Sequence, residues 1–182
     1  MKFKDTGLSQ KAAQAIEKLG FETATKIQEK SIPHIVEGLD VIGESATGSG
    51  KTLAFGCGVL ESVKPNQGLQ CLVLTPTREL AEQVKEEIKR ICNQDPLKII
   101  PIYGGVAIGP QIQQLRSANV VIGTPGRILD HLQRRTLNLS KVKLFILDEV
   151  DRMFDMGFIE DVERIISQIP EYRQTLFFSA TI

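Results

Sequence analysis

The chain has 182 residues, of which 42% are hydrophobic and 24% are charged, as is typical of one globular domain with a sizeable core. Lysine plus arginine and aspartate plus glutamate number 22 each, so the charge balance neither indicates a nucleic-acid partner nor excludes one bound through backbone N–H groups and a few placed side chains. No apolar run approaches the roughly 18 residues of a membrane span, and no signal-peptide pattern follows the first lysines. We therefore expect a soluble, cytoplasmic protein with no membrane partner.

Six short apolar runs recur along the chain, with longer helical patterns between them. Their apolar character is nearly continuous instead of alternating, which is typical of strands in a mostly parallel sheet with helices on both faces. Residues 78–91 and 158–169 place apolar side chains on one face at helical spacing, which predicts covering helices. The alternation predicts a doubly wound α/β fold, with ligands bound beyond the carboxyl ends of the strands. The six runs are residues 40–43, 71–75, 98–103, 119–123, 144–148 and 175–179.

A glycine-rich loop follows the first predicted strand and leads into a helical pattern. In a P-loop, successive backbone N–H groups and the start of the next helix bind phosphate oxygens. Lys51 would then reach the β- and γ-phosphates, and the Thr52 hydroxyl would ligate Mg²⁺. The pattern G-x-x-x-x-G-K-[ST] has glycine where this chain has Ser45, and a glycine-rich turn without a ligand is the alternative. The segment is Ser45, Ala46, Thr47, Gly48, Ser49, Gly50, Lys51 and Thr52.

Two acidic residues follow a later apolar run, in the string LFILDEVD. Asp148 would hold the Mg²⁺ shell, and Glu149 would polarise the attacking water as general base. Alone, an aspartate after a strand is as readily interpreted as a helix N-cap. Together with the glycine-rich loop, the pair predicts a nucleotide-hydrolysing site. In that site Lys51, Asp148 and Glu149 are catalytic, and Thr52 and Asp148 bind the metal.

Short motifs along the chain occur in the order and approximate spacing of one known family. They are Phe3, GFETATKIQ with Gln28, SATGSGKT, PTRELA at 76–81, GG at 104–105, TPGR at 124–127, DEVD at 148–151 and SAT at 179–181. Together they resemble the N-terminal RecA-like lobe of DEAD-box RNA helicases, over essentially the whole chain. The resemblance implies a RecA-like P-loop NTPase fold for residues 1–182, with residues 1–28 as an adenine-recognition segment.

The resemblance assigns the adenine contacts to Gln28 and Phe3. A side-chain amide carries a donor and an acceptor together, so Gln28 can pair with the N6/N7 edge of adenine, whereas guanine presents the wrong pattern. Phe3 matches the upstream aromatic residue that packs on the base, and a stray apolar residue near the N-terminus is the alternative. ATP or ADP with Mg²⁺ is the implied cofactor.

The resemblance also assigns contacts with the RNA backbone to Arg78, Gly105, Thr124 and Arg127. Thr124 would start a helix whose N-terminus points at phosphate. Contacts with phosphate and sugar carry little sequence preference, so the implied RNA partner is recognised mainly by its backbone. Without the family, residues 124–127 are only a helix start, and the two arginines are ordinary solvated charges.

Three further residues match the motif that links the acidic pair to RNA binding. Ser179 and Thr181 would do so through hydroxyl hydrogen bonds to Asp151. Val150 stands where the family name has alanine, a small apolar change that preserves both acids but alters the packing near this link. The other departures, neither of which removes a chemical group, are Ala24 in place of the usual proline and Ser45-Ala46 in place of the usual Ala-Gln.

Family activity needs a second RecA-like lobe, which supplies arginine fingers and closes the nucleotide and RNA clefts. No second lobe is recognisable in the sequence, so we expect the N-terminal lobe of a larger RNA helicase that couples RNA-stimulated ATP hydrolysis to local duplex unwinding. Alone, this lobe should bind adenine nucleotide weakly with Mg²⁺, hydrolyse it very slowly and unwind nothing. The alternatives are another P-loop ATPase, such as a DNA translocase, and a non-catalytic RNA- or protein-binding module.

Several other residues attract attention but receive no site role. Cys57, Cys71 and Cys92 are odd in number and lack C-x-x-C spacing, which favours reduced, mostly buried thiols over disulfides or a zinc site. His34 and His131 are expected to be structural or solvated. An apolar cluster after the acids is expected to pack in the core, with a partner surface as the alternative. It consists of Met153, Phe154, Met156 and Phe158.

Overall fold

Six short strands, one in each predicted apolar run, form a single sheet. In the computed structural model, which describes residues 1–182, they are β1 (Val41–Glu44), β2 (Cys71–Leu74), β3 (Ile99–Ile102), β4 (Val120–Gly123), β5 (Leu144–Leu147) and β6 (Gln174–Ser179). Every neighbouring pair is parallel, in the order β1-β6-β5-β2-β4-β3. The predicted α/β architecture is confirmed, and the sheet is parallel throughout.

Eight α-helices surround the sheet, and a short 3₁₀ helix precedes them at Phe3–Asp5. The predicted helix over residues 78–91 has those bounds in the structure, and the pattern over 158–169 forms a shorter helix. None of the helices combines the length and apolarity that a bilayer crossing requires. The helices are α1 (Gln10–Lys18), α2 (Lys26–Val36), α3 (Lys51–Ser62), α4 (Arg78–Ile91), α5 (Ile108–Leu115), α6 (Pro125–Gln133), α7 (Val150–Asp155) and α8 (Ile159–Ile166).

The two faces of the sheet bury two separate apolar layers. Successive side chains of a strand point to opposite faces, so Cys71 and Val73 of β2 join one layer while Leu72 and Leu74 join the other. Helices α1 to α4 complete the first layer, and α6, α7 and α8 complete the second. Because both faces are covered, the strands must be apolar on both sides, which explains their continuous apolar runs.

Five helices follow strands at the carboxyl edge of the sheet. These are α3 after β1, α4 after β2, α5 after β3, α6 after β4 and α7 after β5. Local chemistry fixes two of these starts: the Thr77 hydroxyl accepts a hydrogen bond from the Leu80 amide (3.2 Å) at α4, and Pro125 occupies the first turn of α6. The positive ends of these helix dipoles therefore gather on one side of the molecule.

Gly123, at the end of β4, has no room for a side chain. A Cβ atom there would lie 2.5 Å from the Ile128 Cδ1 atom and 2.9 Å from the Ile102 carbonyl oxygen. The second neighbour is backbone and cannot rotate away, so the close approach of β3, β4 and α6 requires glycine. Gly126, in the first turn of α6, has nothing within 4 Å of its Cβ position.

We therefore expect Gly123→Ala to lower the free energy of unfolding by about 1–3 kcal/mol, the usual cost of overpacking a core. Gly126→Ala serves as the matched control and should leave stability unchanged or raise it by up to about 1 kcal/mol, because alanine is the better helix former. Urea denaturation monitored by circular dichroism measures both. Equal stability of the two variants would contradict the packing described at Gly123.

Candidate active site

The loops after β1, β5 and β6 meet at the carboxyl edge of the sheet, because β6 lies between the other two strands. The Ser45 amide, just after β1, donates a hydrogen bond to the Ser179 carbonyl at the end of β6 (3.0 Å). A cleft of about 330 Å³ opens beside these loops, between the glycine-rich segment, α4 and the acidic pair. Lys51, Thr52, Asp148 and Glu149 all line it, so the structure brings together the residues predicted to be catalytic and metal-binding.

The glycine-rich loop takes a conformation that its glycines make possible. Gly48 has φ 81° and Gly50 has φ 93°, both in the left-handed region that side chains disfavour. A Cβ atom on Gly50 would also lie 2.4 Å from the Gln28 Nε2 atom. Ser45, which replaces the usual glycine, fits without conflict because its hydroxyl accepts a hydrogen bond from the Ser49 hydroxyl (2.8 Å).

Lys51, the first residue of α3, is buried between the two acids. Its Nζ atom lies 2.8 Å from Glu149 Oε1 and 3.4 Å from Asp148 Oδ1, and all three residues are at most 5% exposed. Burial lowers the pKa of Lys51, but the two carboxylates raise it, and the net shift is upward. Burial raises the pKa of Asp148 to about 6, with Glu149 adding to the shift and Lys51 opposing it. The site thus holds one buried cation against two buried carboxyl groups beside the cleft.

Glu149 has a strained backbone, with φ 56° and ψ 47°. A non-glycine residue rarely takes this left-handed conformation, and such strain concentrates at functional sites. Here it turns the carboxylate back toward Lys51 while the chain enters α7. Glu149 is the residue at the N-cap position of α7, and Asp148 Oδ1 instead accepts a hydrogen bond from the Glu149 amide (3.0 Å). The interpretation of Asp148 as a simple helix cap is therefore wrong.

The oxygen atoms near the glycine-rich loop fit a magnesium ion that phosphates help to hold. Thr52 supplies a hydroxyl and Asp148 a carboxylate, both on the cleft. No group of three or more histidine, cysteine, aspartate or glutamate side chains forms a complete protein cage. Mg²⁺ commonly binds through one or two protein oxygens together with substrate phosphates and water, so the two residues suit that mode.

Replacing Asp148 by asparagine should change how stability depends on pH. The pKa of Asp148 is about 6 in the folded chain, above its usual value of 3.8, so the folded chain holds this proton more tightly than the unfolded chain. Asp148 therefore costs stability as the pH rises from about 4 to about 6. Over that range the wild type should lose up to about 3 kcal/mol relative to Asp148→Asn. Urea denaturation at several pH values tests this, and parallel pH profiles would refute it.

Gln28 ties the start of α2 to the glycine-rich loop. Its Oε1 atom accepts a hydrogen bond from the Thr25 amide (2.8 Å), and its Nε2 atom donates to the Gly50 carbonyl (3.0 Å). The Thr25 hydroxyl donates to the Ser49 carbonyl (2.8 Å), so Gln28 and the N-cap residue of α2 both hold the loop. Each polar atom of the amide keeps one further hydrogen-bonding position, but Gln28 is only 3% exposed, so a base would reach these positions only after the covering atoms move. An open cavity of about 580 Å³ lies beside this junction, lined by Lys26 and by the loop.

Phe3 lies where a base cannot reach it in this conformation. The side chain is completely buried in the first apolar layer, and the Phe3 carbonyl accepts hydrogen bonds from the amide and the hydroxyl of Thr6. Stacking on adenine requires an exposed ring face, so the atoms that cover Phe3 would have to move first. The sequence suggests either an aromatic residue that packs on the base or a stray apolar residue. Neither interpretation predicts that Phe3 fixes the 3₁₀ helix to the core.

The four residues assigned to RNA lie on neighbouring loops after β2, β3 and β4. Arg78 is exposed at the start of α4, with its guanidinium 4.9 Å from the centre of the Tyr103 ring. Gly105 is exposed with φ 81°, and Thr124 precedes α6 without a side-chain capping bond. Arg127 is different, because its side chain is only 14% exposed and bonds to protein atoms. The alternative of an ordinary solvated charge is wrong for Arg127.

Asp151, Ser179 and Thr181, which are expected to link the acidic pair to RNA binding, are in contact with one another. The Thr181 hydroxyl donates to Asp151 Oδ2 (3.2 Å), as predicted. Ser179 instead uses its hydroxyl to accept a hydrogen bond from the Asp151 amide (3.2 Å) and to donate to the Thr181 carbonyl (2.6 Å). Burial raises the pKa of Asp151, but hydrogen bonds from the Arg152 amide and its neighbours outweigh it, so the net pKa is lowered. Asp151 is thus held as a carboxylate.

Sequence reasoning missed several residues that line or support the site. Gln83 and Glu87, on α4, face the same cleft as Lys51, and burial raises the pKa of Glu87. The only sequence signal for them is their spacing of four, which puts them on one side of the helix. Gln111 and His131 are buried polar residues beneath the loop that contains Gly105. A single sequence offers no sign of such a network.

The residues without a site role are only partly as expected. All three cysteines are free and buried, and His34 is exposed, as predicted. Met153 packs in the core, but Phe154 and Met156 are 67% and 48% exposed, so the prediction of core packing is wrong for these two residues. Their helix, α7, is short, and its outer side faces away from the sheet.

A glycine-rich loop, a buried lysine and two acids at the carboxyl edge of a parallel sheet define a P-loop nucleotide-binding domain. The family can be stated more closely. The sequence-family model described as DEAD/DEAH box helicase matches residues 25–182 of the chain. The chain belongs to this family.

Individual relatives give the same result. DEAD-box ATP-dependent RNA helicase CshA from Bacillus cereus is 49% identical, over 99% of this chain and 35% of that protein. A DEAD box protein from the hyperthermophile Methanococcus jannaschii has a similar structure, with a TM-score of 0.96 and 49% identity, over all of this chain and 50% of that one. The structure of a hypothetical ATP-dependent RNA helicase from Sulfolobus tokodaii is also similar, with a TM-score of 0.87 and 41% identity, over 96% of this chain and 51% of that one. The chain therefore spans about a third to a half of the relatives that it matches.

Proposed function

We propose that this chain, residues 1–182, is the N-terminal ATP-binding lobe of an ATP-dependent RNA helicase, in which RNA-stimulated ATP hydrolysis drives local unwinding of RNA duplexes. The observation that carries the proposal is the buried contact of Lys51 with Asp148 and Glu149 beside a glycine-rich loop. The names of the relatives support the same activity. A second RecA-like lobe is the partner that would complete the nucleotide and RNA clefts.

Phosphate binding would rearrange the lysine and its two acids. The Ser45 and Ser49 amides already donate to the Ser179 and Ala46 carbonyls, so the remaining amides of the loop, at residues 46–48 and 50, and the start of α3 would attract phosphate oxygens. Lys51 is close enough to exchange its carboxylate partners for them. Thr52 and Asp148 would hold Mg²⁺, which neutralises phosphate charge when it is bound. Once Lys51 turns to the phosphates, Glu149 is left with a free carboxylate that can accept a proton from the attacking water.

The proposed RNA contacts are Arg78, Gly105, Thr124 and Arg127, which follow three adjacent strands. An exposed guanidinium, an exposed glycine loop and a helix start are suited to phosphate and sugar contacts, which carry little sequence preference. The three reduced cysteines suit a reducing compartment, so we place the protein in the cytoplasm. RNA-stimulated hydrolysis that fails with a deoxyribose strand would separate this proposal from that of a DNA translocase.

Adenine selectivity should depend on Gln28. We expect the chain to bind fluorescent ADP more tightly than fluorescent GDP in the presence of Mg²⁺. The Gln28→Ala substitution should lower the affinity for ADP by about tenfold or more, because two hydrogen bonds to the base are lost. A looser glycine-rich loop would weaken both nucleotides equally, so the ADP-to-GDP ratio isolates base recognition. Gln113→Ala, at an exposed position of α5, is the matched control. An unchanged ratio in Gln28→Ala would remove Gln28 from adenine recognition.

Hydrolysis should depend on the Glu149 carboxylate. In the RNA-stimulated reaction of the two-lobed protein, Glu149→Gln should lower the hydrolysis rate by about 10²-fold or more, because general-base catalysis is worth that amount. Binding of ADP should persist, since glutamine has the same shape. Glu163→Gln, exposed on α8, controls for the loss of one negative charge. If the variant keeps full RNA-dependent function without hydrolysis, the non-catalytic binding module is the better description.

A further inference from the structure

A buried polar network lies directly beneath the loop of residues 103–107. Gln111 on α5 and His131 on α6 are 5% and 0% exposed. The Gln111 Oε1 atom lies 3.0 Å from Arg127 NH1 and 2.9 Å from His131 Nε2, and the Gln111 Nε2 atom donates to the Tyr103 carbonyl (2.9 Å). Every polar atom of Gln111 is therefore directed at a named partner.

The hydrogen-bond pattern fixes the orientation of both side chains. An amide oxygen only accepts, so His131 must carry its proton on Nε2 and donate it to Gln111. His131 Nδ1 lies 2.7 Å from the Thr136 hydroxyl, which can donate to it. Burial and the nearby Arg127 lower the pKa of His131, in keeping with a neutral ring. Neither side chain can rotate without leaving a buried polar atom unpaired.

The network holds both ends of a two-glycine loop. At one end Gln111 binds the Tyr103 carbonyl, and at the other the NH1 and NH2 groups of Arg127 both bind the Val106 carbonyl at 3.1 Å. Between these points lie Gly104 and Gly105, which are exposed and whose amides donate no hydrogen bond within the chain. Free amides on a glycine turn are suited to binding phosphate oxygens. Since Gln111 also contacts Arg127, one side chain fixes the loop and the arginine together.

We propose that Gln111 and His131 are positioning residues for RNA binding, which hold Arg127 and the Gly104–Gly105 loop in the shape that receives RNA phosphates. The inference rests on the proposed RNA-binding function of this face. Neither residue reaches the surface, so neither touches RNA itself. Their effect on RNA is exerted through the Tyr103 and Val106 carbonyls and through the guanidinium.

The test compares two leucine substitutions on one helix, Gln111→Leu at the buried position and Gln114→Leu at an exposed position. Nuclear magnetic resonance of the 182-residue chain follows the Gly104 and Gly105 amides during titration with a single-stranded oligouridylate. We expect Gln111→Leu to weaken RNA binding by about tenfold, and Gln114→Leu to leave it unchanged. ADP binding at the glycine-rich loop, which is not part of this network, should be unchanged in both variants.

Salt dependence separates positioning from direct contact. Gln111→Leu removes no charge, so the slope of log affinity against log salt should equal that of the wild type, although the affinity is lower. Arg127→Gln should lower the slope by about 0.7, the value for one single-strand phosphate contact, if the arginine itself meets a phosphate. A second variant, Gln111→Glu, keeps the acceptor for Arg127 and His131 but loses the donor to Tyr103, and should give an intermediate affinity.

The outcomes are distinct. Wild-type RNA affinity in a Gln111→Leu chain that still binds ADP would overturn the positioning role and leave the proposed function intact. If Gln111→Leu does not fold, the decision passes to Gln111→Glu, and wild-type affinity in that variant would overturn the role. If the wild-type chain shows no RNA-dependent shift of any amide, both this inference and the proposed RNA contacts fail.

Discussion

The contact between Lys51 and the acids Asp148 and Glu149 joins two strands that are not neighbours in the sheet. Lys51 begins α3 after β1, whereas the acids follow β5, and β6 separates the two strands. A buried ion cluster of this kind is a poor source of stability, since the desolvation of its charges offsets much of their attraction. Its presence at the cleft therefore favours a functional role over a stabilising one. In the proposed function, the cluster keeps a cation where phosphate would bind and two carboxyl groups where a metal and a water would be needed.

Two left-handed backbone conformations shape this site, and only the one at Glu149 is strained, because glycine adopts such angles readily. Glu149 occupies a left-handed conformation, and Gly50 occupies another beside Gln28. At Gly50 the conformation brings the loop carbonyl to the Gln28 amide, so one hydrogen bond joins the residue proposed to read adenine to the loop proposed to bind phosphate. At Glu149 it turns a carboxylate into the cleft at the start of a short helix. Strain and close packing thus occur where the nucleotide is expected.

The sequence predicts the local parts of this molecule better than their partners. The six strands follow from continuous apolar runs, and the placing of Lys51 and Asp148 on one cleft follows from motifs at the ends of strands. Strand order does not follow, because pairing depends on contacts between residues far apart in the chain. The burial of Phe3 and the engagement of Arg127 are missed for the same reason: motif spacing fixes where a residue sits, and tertiary contacts decide whether its side chain is free. Gln111 and His131 belong to no motif, so only packing reveals them.

Strand β6 physically links the glycine-rich loop to the acidic segment that follows β5. Its last residue, Ser179, binds the Ser45 amide of the glycine-rich loop through the carbonyl and the Asp151 amide through the hydroxyl. Thr181 then bonds the Asp151 carboxylate. A shift of β6 relative to β1 or β5 must therefore strain contacts with both the phosphate loop and the acidic segment. Because β1, β6 and β5 are adjacent and parallel, a movement of the glycine-rich loop would be transmitted through β6 to the acidic segment, and the reverse.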